Sequence, residues 1–268
     1  MTSTSDIGIE AAIKFARLGA AKIIIGDRKL SMANSVKTII ERESECKIGV
    51  VKVLPLEIGS FPSIEAFVNN IQKLTCKVHA VILDNSFNYN SSDNDVKEGL
   101  HGADLCLQVN LISKAYLATL LLGLLLQTSL DENSPTNLKF VGAYADYDLE
   151  TFRTIEPFTN VNYSIIKHLK NSPDLSYQFI ASKITEMAMV QELAKSVHPS
   201  KVVVTVACPG FCEDPEWNNC NSTFLRPKKL YKRLFARTCE RGSRTLVSGV
   251  LQGPKAHGKL WGNDRCQM

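Results

Sequence analysis

The 268-residue chain carries 31 Lys and Arg against 27 Asp and Glu, for a net charge of +4, with 44% hydrophobic residues; that is enough apolar chain to build a large core without covalent staples. The two signs of charge are too interspersed to make the concentrated basic face that nucleic acid requires, so no polyanion partner is expected. Eight scattered cysteines with no CxxC or Cys/His pairing give no metal-site spacing and read as free thiols, and the polar opening Met1 to Asp6 lacks the basic start and apolar run of a secretory leader, so a reducing, cytoplasmic setting is expected.

Ile9, Ala12, Ile13 and Ala16 recur at helical spacing, which predicts a helix from about residue 8 to a stop at Gly19. The β-branched run Ile23 to Ile25 follows as a strand, then a helix over 31–42, a strand over 48–54, a helix over 63–73 and a strand over 78–83. The rhythm continues with a long helix through 110–126, a strand at 138–141, a helix after Ser182 bearing Met187, Val190, Ala194 and Val197 on one face, and the strand Val202 to Val206. Apolar strands alternating with helices predict a doubly wound α/β fold: a single domain, a three-layer α/β/α sandwich around a mostly parallel sheet. The apolar run Ala115 to Leu126 is a dozen residues, short of the roughly 20 that span a membrane. It reads as a helix covered by its own domain or by a partner in a homo-oligomer.

Two segments break the alternation. Residues 142–178 are polar and irregular, and 211–240 hold Trp217 and the basic cluster Arg226, Lys228, Lys229, Lys232 and Arg233. Ligands of doubly wound sheets bind outside the carboxyl ends of strands, so 211–240 is a candidate substrate loop.

The order of short motifs resembles the short-chain dehydrogenase/reductase family, its fungal members most closely. Asp6-Ile7-Gly8 looks like the end of the family's Gly-x-x-x-Gly-x-Gly turn, in which backbone approaches a pyrophosphate at a helix N-terminus; Thr2 and Asp6 stand where the first two glycines would, and the preceding first strand is absent. Ile25-Gly26-Asp27-Arg28 ends the second strand of the pattern, where a carboxylate accepts ribose hydroxyls and an arginine favours a 2′-phosphate. Glu57 stands near the adenine position, and Leu83-Asp84-Asn85-Ser86 resembles an Asn-Asn-Ala-Gly segment. Val109-Asn110-Leu111, Phe179-Ile180-Ala181-Ser182-Lys183 and Pro209-Gly210 follow in family order, as do Arg241 to Val247 and His257-Gly258-Lys259.

The resemblance implies NADP or NAD as cofactor, with Ile7, Gly8, Asp27, Arg28, Glu57, Asn85, Lys183, Pro209 and Gly210 around it, and Lys183 with Asn110 as the retained catalytic positions. Read without the resemblance, Asp27 and Glu57 serve equally as capping carboxylates and Lys183 as a solvated lysine at a helix start. The family's proton-donating Tyr is here Phe179, and its oxyanion-steadying Ser falls at Ala143. Loss of a general acid costs about 100- to 10,000-fold, and loss of an oxyanion donor about 3 kcal/mol on the barrier. Tyr144, Tyr147 and Tyr177 are nearby substitutes. Three functions fit: an oxidoreductase of small carbonyls or alcohols in fungal small-molecule metabolism, a non-redox enzyme in the same pocket, or a catalytically inactive relative, with weak cofactor binding expected because Asp6 brings negative charge to the pyrophosphate position.

Overall fold

The computed structural model describes residues 1, 4–87, 98–102, 104–142, 175–213, 236–263 and 265–267. The sheet is mostly parallel, with helices on both faces. Helix α1 (Asp6–Arg17) starts on Ser5, whose hydroxyl accepts from the Gly8 N–H, and ends before Gly19 at φ 87°. Then come β1 (Ile23–Asp27), α2 (Leu30–Ser44), β2 (Val51–Pro55), α3 (Phe61–Leu74) and β3 (Ala80–Leu83). A short helical turn (Leu105–Leu107) and a π-helical segment (Gln108–Ser113) lead into α4 (Lys114–Glu132) and β4 (Thr136–Val141). The chain continues as α5 (Leu175–Lys195), β5 (Val202–Cys208), α6 (Cys239–Leu251), β6 (Leu260–Gly262) and β7 (Arg265–Gln267).

Strands β3, β4, β5 and β6 pair in parallel, with β7 added antiparallel at the far edge, while β1 and β2 form a separate parallel ladder. The expected neighbours within 78–83, 138–141 and 202–206 are thus neighbouring parallel strands. Side chains of β3 alternate between two cores: Val81 and Leu83 join Phe67, Leu117, Leu121 and Val204 under α3, α4 and α5, whereas Ile82 joins Ala11, Ala207 and Leu246 under α1 and α6. All seven residues of β5 are buried, which is why that strand reads as a β-branched, apolar run broken only by Thr205. Gly26 has no substitute there, since a Cβ would press on Leu56 and the Phe67 ring at 2.8 Å.

Several boundaries differ from the sequence reading. The strand expected from residue 48 starts at Val51, because Lys47 to Val50 form a turn in which Ile48 is 93% exposed and Gly49 has φ 93°. The helix expected from Asn110 starts five residues earlier, capped by the Asp104 carboxylate, which accepts from the Leu107 N–H at 2.9 Å. Phe179 lies inside α5 and not ahead of it. Helix α6 and strands β6 and β7 were not anticipated as elements.

The combined helix Leu105–Glu132 is, by length and composition, apolar enough to cross a membrane. Its Leu117, Leu121 and Leu125 are fully buried in the core, so part of the expected cover comes from the domain itself. Ala143, Tyr144, Tyr147 and the basic cluster of the 211–240 loop lie outside the described residues.

Candidate active site at the carboxyl ends of the strands

The ends of β1, β3, β4 and β5 bring most of the expected residues to one side of the sheet. At the end of β1, Asp27 accepts from Thr4 Oγ1 at 2.6 Å through Oδ2 and from the Lys29 N–H at 2.8 Å through Oδ1. A carboxylate offers about four lone-pair sites, so Asp27 retains acceptor capacity, and the adjacent Arg28 is exposed. Glu57 caps its own turn, accepting from the Gly59 N–H at 3.3 Å. Ile7 packs with Ile82, Ala207 and Leu246.

The N-terminus of α1 faces the end of β3. Asp84, only 8% exposed, accepts from Ser5 Oγ at 3.1 Å, and Ser5 Oγ in turn accepts from the Gly8 N–H at 3.0 Å. A Cβ on Gly8 would collide with Asp84 Oδ2, so the glycine permits a carboxylate to approach the positive end of the helix. The sequence reading assigned the intruding charge to Asp6. Asp6 is exposed, and the acid seated at the helix start is Asp84.

This donor set fits the two halves of a dinucleotide unequally. Asp27 and Arg28 suit a ribose and its 2′ substituent. The backbone position that would receive a pyrophosphate is met by a carboxylate of like charge. Asn85, half-buried, follows Asp84 at the same strand end.

Asn110 is fully buried in the π-helical segment. Its Oδ1 accepts from the Phe87 N–H at 2.7 Å, and its Nδ2 lies 2.8 Å from the Phe87 carbonyl, 3.0 Å from Ser182 Oγ and 3.2 Å from Cys106 Sγ. Asn110 therefore clasps the segment after β3 to α5. Ser182, which donates to the Phe179 carbonyl at 2.7 Å, and Cys106, whose thiol is pushed up to about 12 by burial, complete a cluster that sequence reasoning missed.

Lys183 is 2% exposed and donates to the Val141 carbonyl at 3.2 Å and to Glu186 Oε2 at 3.0 Å. The other Glu186 oxygen binds Lys114 Nζ at 2.6 Å. Burial lowers the Lys114 ammonium to about 8 against the pull of Glu186. Lys183 is thus no solvated lysine; it joins a buried Lys–Glu–Lys triad between the π segment and the end of β4. Only the i, i+3 spacing of Lys183 and Glu186 was visible in the sequence.

At the end of β5, Gly210 adopts φ 79° beneath the Arg237 guanidinium, and a Cβ there would lie 3.1 Å from it. Pro209 and Cys212 pack against Gly242 of α6. Arg237 is bonded to Asn263 and pairs its backbone with Phe211 and Glu213, which fixes both stems of the 211–240 loop.

No protein-family model matches the chain. It is 35% identical over 265 residues to a short-chain dehydrogenase/reductase of Aspergillus flavipes, an alignment that covers 97% of this chain and 75% of that protein. Among solved structures, it resembles an NADH-dependent reductase responsible for alginate metabolism, at TM-score 0.70 and 13% identity over 99% of this chain and 96% of that one. A short-chain dehydrogenase from Sphingobium yanoikuyae in complex with NADPH superposes at TM-score 0.65 and 15% identity, covering 93% and 82% of the two chains.

Proposed function

The chain belongs to the short-chain dehydrogenase/reductase family, and from that premise we propose that it is an NAD(P)-linked oxidoreductase of small carbonyl or alcohol substrates in fungal small-molecule metabolism, with greatly reduced turnover. The observation that carries this reading is the constellation at the strand ends, where Asp27, Gly8, Asn110, Lys183 and Gly210 keep their family order while Phe179 carries no ionisable hydrogen. The free cysteines suit a reducing cytoplasm, and the fixed stems of the 211–240 loop suit a substrate cover.

Asp27 and Arg28 would hold the adenine-side ribose, the Gly8 backbone would face the phosphates, and Lys183 and Asn85 would border the nicotinamide side. The cofactor, when bound, supplies the hydride. Asn110 fixes the wall formed by Ser86 and Phe87, and the Lys114–Glu186–Lys183 triad holds α5 against β4. Neither supplies the proton that a nascent alkoxide needs. The buried pairing of Lys183 with Glu186 favours a second reading, a family member that binds ligand without hydride transfer.

Calorimetric titration with NADPH and NADH, followed by NAD(P)H oxidation with a panel of carbonyls, tests both. The expected result is binding weaker than about 10 μM (about −7 kcal/mol) and turnover about 100- to 10,000-fold below that of a site with an intact acid. Sub-micromolar affinity with ordinary turnover would overturn the reduced-activity reading. Binding without turnover selects the second.

A further inference from the structure

Two polar rungs join the π-helical segment and the start of α4 to helix α5. Asn110 Nδ2 lies 3.0 Å from Ser182 Oγ, and four positions on in each helix Lys114 Nζ lies 2.6 Å from Glu186 Oε1. All four side chains are buried, and Lys183, the residue after Ser182, sits between the rungs. Lys183 donates to the second Glu186 oxygen at 3.0 Å and to the Val141 carbonyl at 3.2 Å, at the end of β4.

Lys183 and Glu186 are one turn apart on α5 and would pair as a cation and an anion without any third group. Lys114 brings a second ammonium to the same carboxylate, from a fully buried position. That arrangement is unfavourable for Lys114 itself: burial lowers its ammonium to about 8, Glu186 pulls it up and Lys183 pushes it down again. An apolar side chain of similar length would avoid the desolvation, since apolar volume in place of buried charge is often neutral or stabilising. Stability therefore does not account for Lys114. What it does is occupy one of the two oxygens that Lys183 could otherwise take.

We propose that Lys114 is a positioning residue for Lys183. By holding Glu186 Oε1 it keeps that carboxylate from drawing Lys183 wholly onto itself, so that the Lys183 amine stays at the Val141 carbonyl, where the nicotinamide side of a cofactor would lie. The contact of Lys183 with a dinucleotide rests on the oxidoreductase reading; the division of Glu186 between two lysines does not.

The test uses Lys114→Met, which keeps the length of the side chain and removes its charge, and the double variant Lys114→Met with Glu186→Gln, which also removes the acid. Each is compared with the natural chain in the rate at which an acylating reagent labels Lys183, followed by peptide mass spectrometry, and in NADPH affinity by calorimetry. Lys114→Met is expected to melt no lower than the natural chain, to label Lys183 at least about fivefold more slowly and to bind NADPH about fivefold more weakly. In the double variant labelling and affinity should return to the natural level or above it, whereas a merely structural triad would be damaged further by the second change. Unchanged or faster labelling in Lys114→Met overturns the proposal. So does a thermal midpoint lowered by more than about 5 °C in that variant, a loss of more than 1 kcal/mol in a domain of this size, which would make Lys114 a structural brace. Labelling that falls and recovers as expected while neither the natural chain nor a variant binds NADPH or NADH supports the role of Lys114 and overturns the oxidoreductase reading instead.

Discussion

Asp84 Oδ2 and Ser5 Oγ meet at 3.1 Å across 79 positions of chain, and this bond seats a carboxylate at the N-terminus of α1. Asp84→Asn keeps the shape and removes the charge. Dinucleotide affinity is expected to rise about tenfold, equivalent to about 1.4 kcal/mol, with NADPH gaining at least as much as NADH. Calorimetry of the variant beside the natural chain checks this. Unchanged affinity would show that the phosphates do not approach Asp84.

Restoring the two lost groups addresses the chemistry. Phe179→Tyr with Ala143→Ser should raise NAD(P)H oxidation by about 100-fold or more, the worth of a placed general acid, with a smaller change in cofactor affinity. If the natural chain already reacts at ordinary rates and a Phe at Tyr144, Tyr147 or Tyr177 abolishes them, a displaced tyrosine is the acid.

Glu186 shares its one negative charge between two buried lysines, Lys114 at 2.6 Å and Lys183 at 3.0 Å. Glu186→Gln leaves both cations with a neutral partner in a site that excludes water, and is expected to cost about 3–5 kcal/mol. Urea denaturation measures it. A loss under 1 kcal/mol would mean that the two side chains find other partners or reach solvent.

Lys139 is fully buried in β4 and donates to Thr205 Oγ1 at 3.0 Å. Burial pushes its ammonium down to about 7, against an ordinary value of about 10.4. The folded state therefore sheds a proton that the unfolded chain keeps, so this group makes stability rise with pH between about 7 and 10.4 and depresses it most below 7. Lys139→Met, close in volume, should stabilise the protein most near pH 6 and least near pH 10. Equal gains at both ends would show that Lys139 keeps its proton in the folded protein as it does in the unfolded chain.

The parts of the fold legible in the sequence are those where one short stretch reports its own surroundings. Val202 to Val206 is apolar at every position but Thr205 because β5 is covered on both faces, and Ile9, Ala12, Ile13 and Ala16 mark the buried stripe of α1. Strand β6 was not legible, since Leu260 to Gly262 is too short to show a period. At the site, Asp27 and Gly210 could be placed from family order, but the triad around Glu186 could not be completed, because Lys114 lies 69 residues before Lys183 and no local spacing joins them. Asp84 looked like a small departure from Asn until its distance from Ser5 was known.

The π-helical segment Gln108–Ser113 makes the length of the chain matter at this point. A wide turn accommodates one residue more than an α-helix would over the same rise, and each residue of an α-helix turns its successor by about 100°. Deleting a single residue between 108 and 113 would regularise the helix and leave α4 in its present phase, so the cost would fall inside the segment, on Asn110 and its bonds to Phe87 and Ser182. The same deletion in the exposed turn at Lys47 to Val50 would only shorten a loop. Gaps among homologues are therefore expected at the turn before β2, and in the π segment only as the loss of a single residue that takes the Asn110 contacts with it.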